Sequence, residues 1–134
     1  MPTWLSHKPI IACNYRMLNP DDYEDAQYIS IGRAQYDPND ASVKIFRHSG
    51  NRWSRQSEEV PIQRLGYMLE MLLAAMLQCQ RSGEESFRSE LLEEIIAPED
   101  LDFLREQIRT NRHSICDSLN RIKALIEEIN PEKI

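Results

Sequence analysis

Residues 58–77 read Glu58-Glu59-Val60-Pro61-Ile62-Gln63-Arg64-Leu65-Gly66-Tyr67-Met68-Leu69-Glu70-Met71-Leu72-Leu73-Ala74-Ala75-Met76-Leu77, and at Pro61 the spacing of apolar residues changes. Beyond it Ile62, Leu65, Met68, Leu69, Leu72, Leu73, Met76 and Leu77 recur at steps of three and four, which is the period of an α-helix. Pro61 suits the first helical position, and Glu58 and Glu59 just upstream complement the positive end of the helix dipole. The interior from Met71 to Leu77 has no charge, so the helix is expected to be covered on most sides, by a sheet and by other helices or another subunit.

Upstream of Pro61 the pattern is that of strands. Ile10-Ile11-Ala12-Cys13 is a short apolar run, and the acidic, Pro-containing stretch Asn19–Asp25 reads as a loop. Tyr28–Tyr36 and Ser42–Arg47 read as two strands joined by the turn residues Asp37-Pro38-Asn39-Asp40, which predicts a hairpin. Ser49-Gly50-Asn51 supplies a second turn, and Arg52–Gln56 a third strand or irregular extension. The fold class that follows is α+β: residues 1–60 mainly β as a small antiparallel sheet, residues 61–134 helical, the whole of 1–134 a single domain.

Downstream, Ser82-Gly83 ends the first helix, and Phe87, Leu91, Leu92, Ile95 and Ile96 mark a shorter amphipathic helix ending at Ala97-Pro98. Leu101, Ile108, Ile115, Ile122 and Ile129 are then spaced by seven, with Leu104 and Leu125 in the paired position of the first and last turns. One helix from about Pro98 to Asn130 would be roughly 48 Å long, and a heptad seam of that length predicts pairing with another helix, from a second chain, as a dimer or an assembly of dimers. The middle of the seam is polar. Asn111 and Ser118 stand where apolar residues are expected, with Arg105, Arg109 and Arg112 on neighbouring positions. A buried Asn111 can fix register. Alternatively, Asn111 and the arginines face an anionic ligand lodged between helices.

The chain of 134 residues, 41% hydrophobic and 28% charged, has the composition of one globular domain and no apolar run near membrane-spanning length. No signal peptide is visible at its start, and Cys13, Cys79 and Cys116 form neither a disulfide framework nor a zinc spacing, so they are read as buried apolar residues in a cytoplasmic protein. The net charge of −6 disfavours general nucleic-acid coating. Residues 44–64 nevertheless hold Lys44, Arg47, Arg52, Arg55 and Arg64 against only Glu58 and Glu59, and 12 of the 16 basic residues are Arg, the side chain suited to bidentate anion recognition.

Catalytic fingerprints are absent: no phosphate loop, no Gly-x-Gly-x-x-Gly, no nucleophile elbow and no His-Glu-x-x-His. His7, His48 and His113 are scattered, no ligand grouping has metal spacing, and adjacent acids such as Glu58-Glu59 read as solvated or helix-start charges. A protein without catalytic residues, metal or cofactor is therefore expected.

One stretch stands apart, Lys44-Ile45-Phe46-Arg47-His48-Ser49-Gly50-Asn51-Arg52-Trp53-Ser54-Arg55-Gln56-Ser57-Glu58-Glu59, which combines anion donors with a ring able to stack on a nucleobase. Alternatively Trp53 packs in the core and Arg55 pairs with Glu58 or Glu59. Together with Ser30-Ile31-Gly32-Arg33-Ala34-Gln35, this motif resembles a family of small bacterial and phage proteins over about residues 28–65. By overall layout the chain is similar to the phage anti-Thoeris sponge proteins, small oligomers that hold cyclic ADP-ribose-type signals or cyclic oligonucleotides without cleaving them. That resemblance implies sequestration of a small phosphate-containing nucleotide signal between subunits of a homo-oligomer, counteracting host antiviral signalling. The residues assigned to it are Arg105, Arg109 and Arg112 on phosphate or ribose, Asn111 on polar edges, Phe87 or Trp53 stacking, and Arg47, Arg52 and Arg55 on the sheet side. A single-stranded nucleic-acid platform built on Lys44, Arg47, Arg52, Trp53 and Arg55, or an acidic protein–protein inhibitor, are the alternatives.

Overall fold

Turn chemistry organises the first half of the chain. In the computed structural model, which describes residues 1–2, 4–18, 25–54, 57–80 and 96–134, Asp37 Oδ1 accepts from the backbone N–H of Asn39 at 2.9 Å and the Asp37 carbonyl accepts from Asp40 at 3.0 Å. This Asx turn folds β2 (Ala26–Arg33) back on β3 (Ala41–Ser49), antiparallel, with Ser30 opposite Lys44 and Gly32 opposite Ser42. Gly50, at φ +63°, then makes the two-residue turn to β4 (Arg52–Trp53), in a backbone conformation costly for any residue with a Cβ.

β1 (Lys8–Asn14) pairs with the other edge of β2, and β5 (Glu59–Pro61) pairs with β3 so that Glu59 stands directly opposite Lys44. A short helix, α1 (Tyr15–Leu18), follows β1, its Arg16 N–H capped by Asn14 Oδ1. The antiparallel hairpin and the α+β class expected from the sequence are therefore present. Of the acidic loop expected over Asn19–Asp25, only Asp25 lies within the described residues.

The described residues form two compact units, Met1–Leu69 and Glu70–Ile134. In the first, strand alternation turns Ser30, Gly32, Ser42, Lys44 and Phe46 onto one buried face. Over that face lies the segment before β1, whose Pro2, Leu5 and His7 are buried with them. The opposite face carries the cross-strand pairs Ile11–Ile31, Ile31–Val43, Ile29–Ile45 and Val43–Val60, yet Ile11 is 67% exposed. The polar face of this sheet is thus the buried one.

The helix predicted after Pro61 is α2 (Ile62–Gln80). Within the described residues of this one chain, Ala74 and Cys79 are the positions buried along it. Cys79 is buried as expected, whereas Cys13, on edge strand β1, and Cys116, on the last helix, are exposed. The shorter helix expected around Phe87 falls outside the described residues.

The single helix expected from Pro98 to Asn130 is instead a 3₁₀ turn (Pro98–Asp100), α3 (Leu101–Thr110) and α4 (Arg112–Glu128). The break is Asn111, at φ −98° and ψ +10°, off the helical minimum. Its side-chain Nδ2 and its backbone N–H both donate to the Gln107 carbonyl, at 2.9 and 3.1 Å. An amide side chain competing for backbone groups is why Asn favours helix ends over helix interiors. The heptad residues Leu101, Ile108, Ile115 and Ile122 are half-buried, but Arg105 and Leu119 share their stripe, while Leu104 and Leu125, expected in the seam, are exposed.

Gly32 tests the packing of β1 on β2. A Cβ built there would lie 2.0 Å from the Lys8 carbonyl oxygen and 2.9 Å from the Pro9 Cα, both backbone atoms with no easy escape. Gly32→Ala is expected to cost about 2 kcal/mol by chemical denaturation. A midpoint indistinguishable from the native protein would show that β1 yields without cost.

Candidate functional site

The buried face of the sheet is built around one carboxylate. Glu59 is carried by β5, and its Oε1 accepts three hydrogen bonds: Ser42 Oγ–H at 2.7 Å, the Gln35 backbone N–H at 3.0 Å and His7 Nδ1–H at 3.1 Å. Because the Ser42 hydroxyl proton goes to Glu59, its oxygen can only accept from His7 Nδ1, 3.0 Å away. The network thereby assigns His7 as the Nδ1–H tautomer, and Nε2 accepts from the Ser30 hydroxyl at 3.2 Å. Glu59 Oε1 and both ring nitrogens of His7 are satisfied with Glu59 ionised and His7 neutral.

Electrostatics agree with that assignment. Burial pushes the His7 imidazole below its ordinary value, against the opposing pull of its hydrogen bond to Glu59. Burial works to raise the Glu59 carboxyl, but the donors Ser42, Gln35 and His7, with the charge of Lys44, outweigh it and hold the group below its ordinary range. The order Ser30–His7–Glu59 is also that of an acyl-transfer triad. Ser30, however, is 1% exposed in the middle of β2, so no substrate reaches its Oγ, and the arrangement serves to tie the segment before β1 to the sheet.

Lys44 is the exception to this satisfaction. It is 1% exposed, and its Nζ has no hydrogen-bond partner. Glu59 Oε2 is 4.0 Å away and the centroid of the Phe46 ring 6.0 Å away. A buried ammonium with three unused donors is costly. Lys44 also lines a cleft of about 300 Å³, with Trp4, Leu5, Ser6 and Gln35. The cleft exists because His7 pins the segment 4–7 over the sheet, and Trp4 remains 68% exposed. A flat ring, an amide and an unpartnered cation can jointly hold an anion attached to a ring.

The residues singled out from the sequence are distributed otherwise. Trp53 is half-buried and packs against His48, Tyr28 and Phe46, at ring-centroid distances of 5.0, 6.1 and 6.3 Å. Arg47 Nε is held by Asp25, at 3.0 and 3.1 Å, and Arg47 NH1 lies 3.6 Å from Glu58. Arg52 is exposed on β4. Arg55 and Phe87 lie outside the described residues. In the second unit Arg105 donates to the Cys79 carbonyl at 3.2 Å and to Asp102, Arg109 pairs with Glu106 at 3.3 Å, Arg112 is exposed, and Asn111 caps its own helix end. Local carboxylates thus neutralise the two arginines on α3. Glu59, expected to serve the helix dipole, and His7, expected to be solitary, are instead the centre of the buried network.

Among the described residues, no group of three or more His, Cys, Asp or Glu could hold a metal ion, and no helix is long and apolar enough to cross a membrane. The chain belongs to a family of unknown function, DUF6530, whose model matches residues 1–94. That match contains the whole of the first unit and its cleft; α3 and α4 lie beyond it. No curated protein and no solved structure matches the chain.

Because His7 is held below its ordinary value of 6.5 in the folded state, it binds a proton more readily when unfolded. Its contribution to stability is complete above that value and is lost as pH falls towards the folded-state value. Thermal melts are expected to show stability declining from about pH 6.5 downward, before the carboxylates titrate, and His7→Gln should flatten that decline. Identical slopes in the two proteins would remove His7 from the linkage.

Proposed function

We propose that this protein is a binding module that takes up a small anionic ligand in the Lys44 cleft of its first unit and holds it without converting it. The observation that carries this reading is the Lys44 ammonium, buried and without a hydrogen-bond partner, in the wall of a cleft rimmed by an exposed Trp4. A fold that needed only stability would place a methionine or leucine there. An anion supplies the missing acceptors, and hydrogen bonds to a charged donor are the stronger kind.

Ser30, the hydroxyl of the Ser30–His7–Glu59 group, is sealed beneath the sheet and out of a ligand's reach, which supports holding over acyl chemistry in this cleft. Sequestration of a phosphate-containing nucleotide signal, expected from the sequence, belongs to this ligand class. Its site moves from the arginines of α3 and α4, two of which pair closely with carboxylates, to a lysine whose one carboxylate neighbour stays 4.0 Å away, beyond hydrogen-bond distance.

Isothermal titration against inorganic phosphate, nucleotides, cyclic nucleotides and aromatic carboxylates tests this directly. Lys44→Met is expected to weaken binding roughly tenfold to a hundredfold, and to leave the ligand-free protein as stable or about 1 kcal/mol more stable, since Glu59 keeps its three donors. Ligand released by denaturation should be chemically unchanged. Unaltered affinity in Lys44→Met, with loss in Arg105→Ala/Arg109→Ala, would return the site to the last helices.

A further inference from the structure

Charge counting around the cleft narrows the ligand. Among the described residues that line it, Lys44 alone carries a charge. Glu59 Oε2 stands 4.0 Å from the ammonium. His7, bonded between Glu59 and Ser30, is neutral. A first negative charge on a ligand therefore meets three unused N–H donors. A second would meet the Glu59 carboxylate with no further cation among the described lining residues, and like charges repel appreciably in a partly buried site.

Size and shape limit the rest of the molecule. About 300 Å³ is the lower end for small-molecule sites, room for one ring system with a short charged arm. The ring has a place: Trp4, exposed at the rim, offers a flat face, and Gln35 also lines the cleft.

Resting on the binding reading above, we infer that the ligand is a monoanion carrying a single flat ring system, held by Lys44 at its charge and by Trp4 at its ring. Cyclic mononucleotides, with one phosphodiester and one base, and aromatic carboxylates share this chemistry. Phosphate monoesters, diphosphates and cyclic dinucleotides do not, because each brings additional charge.

A charge series on a constant ring tests the inference. Adenosine, cyclic AMP, AMP, ADP and cyclic di-AMP, the matching guanosine compounds, and indole-3-acetate are titrated calorimetrically into the full chain at pH 8, where a phosphate monoester carries about two negative charges. Cyclic AMP, cyclic GMP or indole-3-acetate is expected to bind roughly tenfold or more tighter than the uncharged and the multiply charged compounds. Binding by a cyclic mononucleotide identifies the phosphodiester source, and binding by indole-3-acetate alone the carboxylate source. Trp4→Ala should weaken binding while preserving the order, and Lys44→Met should abolish the preference for one charge. Tightest binding of AMP, ADP or cyclic di-AMP, or affinity indifferent to charge, overturns the monoanion assignment and leaves the anion site standing. No binding by any compound, with phosphate also inert, overturns the site itself.

Discussion

One oxygen atom, Glu59 Oε1, holds the first unit together. It gathers donors from Ser42, Gln35 and His7, which lie 17, 24 and 52 residues away along the chain. A carboxylate this buried is tolerated only when hydrogen bonds replace its lost hydration, and here they come from β3, from the end of the β2–β3 hairpin and from the segment before β1. Remove them and no apolar contact of comparable directionality ties that segment to the sheet. The cleft beside Lys44 is a consequence of this pinning, since Trp4, Leu5 and Ser6 form one of its walls.

The same face contains a tension. Its register sets Lys44 between Ser30 on one strand and Glu59 on the other, yet the carboxylate's Oε1 is occupied by other donors and its Oε2 stays 4.0 Å from the ammonium. The sheet thus buries a cation that it does not hydrogen-bond, while leaving isoleucines exposed on its opposite face. Among the described residues Lys44 Nζ is the one buried side-chain polar atom without a hydrogen bond, and departures of this kind are tolerated where binding or chemistry needs them.

Much of the fold was legible in the sequence. Asp37-Pro38-Asn39-Asp40 specified the hairpin because Asp and Asn bond their own backbone, and the change of period at Pro61 placed α2 within a residue of its start. The long last helix was over-read. Seven-residue spacing of Leu101 to Ile129 is indifferent to a one-residue distortion, whereas Asn111 carries the chemistry that makes one. The site was less legible still. Arginine clusters on helices have the composition of anion donors, but Asp102 and Glu106, one turn before Arg105 and Arg109, answer them within the helix. His7 and Glu59 carried no local signal at all, since their relation spans 52 residues; the alternation of Ser42, Lys44 and Phe46 along one strand was the clue available.

What the sequence determined by itself is what depends on neighbours along the chain: strand and helix periods, turn chemistry, charge balance and the absence of catalytic fingerprints. Tertiary structure decided which face of the sheet is buried, which carboxylate is solvated and which buried cation is left without a hydrogen bond. The physical reason is that desolvation and hydrogen-bond satisfaction are properties of a three-dimensional surrounding. Two adjacent glutamates, Glu58 and Glu59, are alike as letters, yet strand alternation sends one to solvent beside Arg47 and the other into the network that shapes the cleft.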